Sequence, residues 1–217
     1  MLTSALYLHG FASSSRSTKA VFLGERLAAY GATLRAPDFN QPDFSTLTVT
    51  RMLQQTAAAR AELPPGPAAL IGSSLGGFVA VHAAARLAPE TVGHLVLLAP
   101  ALDFGAKWVR DLGPHRLEQW KTTGRLDVFH YAYGETRAVH YALYEDARRY
   151  DAYALVLEIP TVVIYGTRDD IVAPASIEAW ARGRPNVTLR PVDDGHQLAD
   201  SMEVIWQETA RAMGVTT

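Results

Sequence analysis

Ala68-Ala69-Leu70-Ile71-Gly72-Ser73-Ser74-Leu75-Gly76-Gly77-Phe78-Val79 is the most informative segment of this 217-residue chain. An apolar run ends on Gly72, and an Ala- and Val-rich segment of helical character begins after Ser74. A strand must therefore reverse into a helix within a few residues, and side chains at Gly72 or Gly76 would strike neighbouring backbone. Ser74 stands at the apex of that Gly72-x-Ser74-x-Gly76 turn in a strained conformation, its hydroxyl exposed and a helix N-terminus beneath it. The Leu75 amide then points to where an oxyanion would form. The competing reading is an ordinary glycine-rich strand–helix turn in a Rossmann-like fold, with Ser74 as an N-cap.

Outward from this segment two periodicities alternate. Strand-length apolar runs occur at Ala5–Leu8, Thr33–Ala36, Ala68–Ile71, Leu95–Ala99, Thr161–Tyr165 and Val187–Val192. Helical spacing appears at Lys19–Tyr30, Thr46–Glu62, Leu75–Leu87, Ala175–Arg182 and Met202–Met213, with Ser17 as an N-cap for the first. Several strand runs are apolar throughout, as parallel strands covered on both faces must be. The expectation is an α/β fold: an open parallel sheet with helices on both faces. Residues 101–158 break the rhythm. They show no evident strand and are dense in aromatics, among them Phe104, Trp108, Trp120, Phe129, Tyr131 and Tyr141. A structureless segment of that length does not suit a compact domain, so it reads as a helical insertion within a single domain spanning 1–217.

Composition narrows the classes. Twenty Lys and Arg face 22 Asp and Glu, a formal net charge of −2, so nothing draws the chain as a whole to nucleic acid or an anionic membrane. No apolar run approaches the ~20 residues of a membrane span. The N-terminal Met1–Leu8 lacks a basic region and is cut short by His9-Gly10, unlike a signal peptide. The absence of cysteine excludes disulfides, thiolate nucleophiles and Cys-based metal sites, and with the rest suggests a cytoplasmic protein.

A nucleophilic serine needs a base and an acid. His196, in Asp193-Asp194-Gly195-His196, follows the last strand and so reaches the same C-terminal sheet edge as Ser74. His82 and His94 read as packing or surface residues, and His115, His130 and His140 lie in the insertion. For the carboxylate, the strand Thr161–Tyr165 runs into Gly166-Thr167-Arg168-Asp169-Asp170. Asp169 is the choice, Asp170 its solvent-facing neighbour or a helix-side cap, and Asp103 the competitor from the preceding strand. Asp193 and Asp194 are too near His196 in sequence to orient it easily. The order is then Ser74, Asp169, His196. Leu6-Tyr7-Leu8-His9-Gly10-Phe11 supplies a tight turn in which Gly10 permits close approach and the Phe11 amide becomes a second oxyanion donor. His9 reads as a loop hydrogen-bonder.

With these pieces in place, the chain resembles the α/β-hydrolase superfamily. The resemblance rests on His9-Gly10-Phe11, Gly72-Ser73-Ser74-Leu75-Gly76-Gly77, Gly166-Thr167-Arg168-Asp169-Asp170-Ile171-Val172 and Gly195-His196, in the family's order along almost the whole length. The opening Tyr7–Ala20 is more narrowly similar to the small bacterial YqiA-type esterases. The resemblance implies Ser74 as nucleophile, His196 as base, Asp169 as acid, and Phe11 and Leu75 amides as the oxyanion hole. It also implies that residues 101–158 form the cap. The family's first two strands have no room before Met1, so six parallel strands and no antiparallel edge are expected. The expected activity is a serine esterase or thioesterase acting on a small molecule with a hydrophobic acyl or aromatic group, with no metal or organic cofactor. The alternatives are an acyltransferase, peptidase or C–C hydrolase using the same residues, or a non-catalytic binding protein on this fold. Ser13–Lys19 is a solvated loop capping a helix, or less simply a phosphate site for a coenzyme A thioester.

Overall fold

The computed structural model describes residues 1–215, apart from the side chains of residues 89 and 107–110; the Trp108 side chain thus lies outside the described residues. In chain order the elements are β1 (Ser4–Leu8), α1 (Thr18–Ala29), β2 (Thr33–Arg35), α2 (Val49–Ala61), β3 (Ala68–Ser73) and α3 (Leu75–Ala84). There follow β4 (Val92–Leu98), α4 (Phe104–Thr123), β5 (Arg125–His130), β6 (Glu135–His140) and α5 (Ala142–Ala147). The chain closes with β7 (Thr161–Gly166), α6 (Pro174–Ala181), β8 (Val187–Val192) and α7 (Met202–Met213).

Six strands form one sheet in the order β2-β1-β3-β4-β7-β8, every neighbouring pair parallel. Alternate residues of each strand face opposite layers, which explains why the inner strands β1, β3, β4 and β7 are mostly apolar, while the edge strands β2 and β8 are partly exposed. Leu6, Leu8, Leu70 and Leu97 pack under α2, α3 and α6, against Met52, Phe78 and Trp180. Their neighbours Ala5, Tyr7, Ile71 and Leu98 pack on the other face against Leu23 and Leu27 of α1 and Trp206 of α7. Ser17 caps α1, its side chain accepting from the Ala20 amide. Because β1 pairs with β2 on one side and β3 on the other, the crossovers diverge between β1 and β3. The crevice at the carboxyl ends of those two strands is where open α/β sheets hold their ligands.

The insertion corrects one expectation. It carries α4, broken at Gly113 (φ 69°, ψ 167°) before Pro114, and α5, but also an antiparallel hairpin of β5 and β6. Leu126, Val128 and His130 turn inward while Arg125, Asp127 and Phe129 face solvent. A strand covered on one face shows only a few alternating apolar residues, so no continuous run announces it. Much of the aromatic content is core: buried Trp120 donates its indole N–H to the Val139 carbonyl (3.0 Å) and packs on Tyr141 and Tyr144. Phe129, Tyr131 and Tyr133 remain exposed.

His82, buried in α3 with its ring edge-on to those of Phe78 and Tyr150, is a packing residue. Burial, aided by Arg86 and opposed by Asp151, lowers its pKa to about 4. An unfolded histidine titrates near 6.5, so below that pH the unfolded chain binds a proton that the folded one refuses, and stability falls toward pH 4. Urea unfolding should therefore show about 2 kcal/mol less stability from this group at pH 5 than at pH 7. In His82→Leu that part of the pH dependence should vanish.

Candidate active site

The turn between β3 and α3 is as tight as its glycines imply. A β-carbon on Gly76 would stand 1.9 Å from the Leu8 carbonyl oxygen, and one on Gly72 would stand 2.4 Å from the Gly76 oxygen. Ser74 takes φ 53°, ψ −116°, a conformation that non-glycine residues avoid. Its side chain makes no cap hydrogen bond to α3. The hydroxyl points instead at His196, with Ser74 Oγ and His196 Nε2 3.1 Å apart.

His196 Nδ1 lies 2.8 Å from Asp169 Oδ2. A carboxylate only accepts, so Nδ1 carries the imidazole proton; Nε2 is left to accept from the Ser74 hydroxyl. The other Asp169 oxygen accepts from the backbone amides of Ile171 (2.9 Å) and Val172 (2.8 Å). Burial of Asp169 works to raise its pKa, but hydrogen bonds from His196, Val172 and Ile171 together prevail and hold the carboxyl below its ordinary value. Ser74, Asp169 and His196 follow β3, β7 and β8, and meet at one sheet edge.

Gly10 brings the β1–α1 loop against this turn. A β-carbon there would lie 3.3 Å from the Ser73 carbonyl oxygen and 3.4 Å from Ser74 Cβ. The following residue, Phe11, packs its ring against Phe44 (5.5 Å between centroids) and Phe104 (6.4 Å). Leu75 is the first residue of α3, one of the amides at a helix start that lack an intrahelical acceptor. The two expected donors thus flank the Ser74 turn from two sides, with an aromatic wall beside one of them.

The other candidates sit elsewhere. Asp103 is the N-cap residue of α4, Asp170 is exposed, and Asp193 pairs with Arg168 on the surface. His9 donates from Nδ1 to the Gly10 carbonyl (2.9 Å) and accepts at Nε2 from the Phe39 amide (2.9 Å), so it braces loops as expected. His94 lies within β4, half-buried, while His115 and His140 are exposed. The Lys19 ammonium donates to the Gln197 carbonyl, next to His196. Burial lowers the Lys19 pKa, against the pull of Asp194.

Sequence reasoning missed Asp194. Its buried carboxylate accepts from the Gly195 amide (2.7 Å), the Asp200 amide (3.0 Å) and the Ser201 hydroxyl (2.8 Å). It therefore shapes the His196 loop from within, without touching the imidazole. The signal was its spacing to Asp200-Ser201, which only a folded-back loop makes meaningful.

Residues 4–210 match Uncharacterised protein family UPF0227, and the chain belongs to that family. Among curated proteins no relative matches the chain. Solved structures share its α/β-hydrolase fold. Alpha/beta hydrolase domain-containing protein 10 from mouse superposes with a TM-score of 0.82 at 20% identity, over 97% of this chain and 89% of that one. Est1E from Butyrivibrio proteoclasticus, with ferulic acid bound, gives 0.79 at 18% identity over 97% and 89%. A structure from work on the metagenome-derived lipolytic enzymes LipS and LipT gives 0.76 at 18% identity over 97% and 93%.

The crowding at the turn makes a direct prediction. Gly76→Ala should lose roughly 3 kcal/mol or more of unfolding free energy, or fail to accumulate as folded protein, because Leu8 backbone cannot step aside. Thermal and urea denaturation measure it.

Proposed function

We propose that this protein is a serine hydrolase that cleaves carboxylic ester or thioester bonds through an acyl-enzyme on Ser74. The observation that carries the reading is the unbroken proton line from Ser74 Oγ to His196 Nε2 (3.1 Å) and from His196 Nδ1 to Asp169 (2.8 Å). In this mechanism Ser74 Oγ attacks the acyl carbonyl carbon while His196 Nε2 takes the hydroxyl proton. Asp169, held ionised by its backbone donors, stabilises the imidazolium. The carbonyl electrons move onto oxygen, where the Phe11 and Leu75 amides receive the oxyanion. Collapse expels the alcohol or thiol, protonated by His196. A water, deprotonated by the same imidazole, then releases the acid and restores Ser74.

The partly buried Phe11 ring, backed by Phe44 and Phe104 of the core, favours an apolar or aromatic acyl group. The ferulic acid bound to Est1E, on a similar fold, agrees with that class. In this reading residues 1–217 are one domain and residues 101–158 its cap. A chain without cysteine suits a reducing cytoplasm, where we place it. No helix among the described residues is long and apolar enough to cross a membrane.

A panel of p-nitrophenyl esters and acyl thioesters tests the proposal. Ser74→Ala should reduce turnover on the order of 10⁴-fold or more and abolish labelling by a fluorophosphonate. Asp169→Asn should cost about 10⁴ in kcat, because the imidazole then favours the wrong tautomer. Equal activity in wild type and Ser74→Ala would remove the mechanism. Product analysis with added alcohols or amines separates hydrolysis from acyl transfer.

A further inference from the structure

The β1–α1 loop, which carries Phe11, is closed by one turn bond of its own, from the Ser13 amide to the Gly10 carbonyl (3.3 Å), and is held from outside as well. Ala12 stands at φ 55°, in the left-handed region that costs a non-glycine residue energy and persists where its surroundings hold it. Two other parts of the chain add to that turn bond. Buried Asn40 donates from its side-chain nitrogen to the Ser13 carbonyl (2.8 Å). That carbonyl only accepts, so the Asn40 nitrogen must face it and the amide oxygen must face the other way. There Asn40 Oδ1 meets His130 Nε2 at 3.1 Å, which fixes the proton on Nε2. His130 is fully buried at the end of β5, stacked on Tyr133 (4.1 Å, 21°) and edge-on to Phe44 (4.6 Å). Phe44 in turn packs on Phe11. One residue beyond the strand's neighbour, the Ala132 amide approaches the Ala12 carbonyl at 3.5 Å.

We infer that His130 is a positioning residue for the Phe11 oxyanion donor, acting through Asn40, so that the insertion is part of the catalytic scaffold as well as a cover. The inference rests on the serine-hydrolase reading. His130 reaches the loop by two indirect routes: through Asn40 to the Ser13 carbonyl by hydrogen bonds, and through Phe44 to the Phe11 ring by packing. A backbone amide stabilises an oxyanion only when aimed at it, and a hydrogen bond weakens steeply as its angle departs from linear. Complete loss of one such donor costs on the order of 10²–10³ in turnover, so a donor left misaimed should cost about tenfold.

The test compares His130→Phe, which keeps a ring but loses the donor, with His130→Gln, which keeps an N–H, and with Asn40→Asp, which cannot donate to Ser13. Each is assayed on a p-nitrophenyl ester and for binding of a trifluoromethyl ketone, whose serine adduct places an oxyanion in the same hole. His130→Phe and Asn40→Asp should each lower kcat about tenfold with KM within twofold, and weaken the ketone by the same factor. His130→Gln should recover most of both, and the His130→Phe/Asn40→Asp pair should be no worse than either change alone. A purely structural role would move the melting temperature and leave kcat and ketone affinity untouched in the folded fraction; that outcome overturns the inference. Should His130→Phe not fold, the same comparison between wild type and Asn40→Asp decides it. If wild type labels at Ser74 and turns over esters while both variants match it, this inference alone fails. If wild type neither labels nor hydrolyses, the serine-hydrolase reading fails and this inference falls with it.

Discussion

Where β1 ends, the carbonyl oxygen of Leu8 comes so near Gly76 that no β-carbon fits between them, and the rest of the site is arranged around that contact. It seats the end of one central strand against the first turn of α3. With Gly72 equally crowded from the other side, the chain has one way to pass from β3 into the helix. Ser74 is the residue left at the bend, and its positive φ stores roughly 1–3 kcal/mol of backbone strain that the surrounding packing offsets. Strain of this kind keeps the hydroxyl lifted off the helix that would otherwise use it as a cap.

The sheet supplies position, and loops bring the carboxylate and the imidazole to Ser74. Asp169 sits where the turn after β7 aims two amides at one of its oxygens, leaving the other for His196. His196 stands on a loop that cannot hold itself by regular pairing. Buried Asp194 gathers three donors inside that loop, and Lys19 reaches across from α1 to the Gln197 carbonyl. Gly166 allows the two loops to meet, since a β-carbon there would lie 2.3 Å from the Asp194 carbonyl oxygen. Backbone amides and buried carboxylates thus hold the imidazole within reach of the serine.

The insertion adds what the sheet cannot. Phe104 at the start of α4 joins Phe11 and Phe44 in an aromatic cluster, and the hairpin of β5 and β6 closes onto the β1–α1 loop through His130 and Asn40. A segment tied this closely to the edge of the site links the surface that would meet substrate to the loop that would meet developing charge.

Continuous apolar runs and the crowded Gly72-Ser74-Gly76 turn were legible in the chain itself, because burial on both faces and steric exclusion each leave a local mark. So were Ser74, Asp169 and His196 as a set, since strand ends in a parallel sheet share one edge. The hairpin was not, because a strand covered on one face needs only Leu126, Val128 and His130 to turn inward, and alternation so sparse does not stand out. Nor were Asp194, Lys19, Asn40 and His130 recognisable as supports. Their partners are backbone groups or amides made adjacent by folding, and a hydrogen bond to a distant carbonyl leaves no pattern along the sequence. Local sterics and periodicity determined the architecture and the three residues that meet at its edge; three-dimensional proximity alone chose what holds them in place.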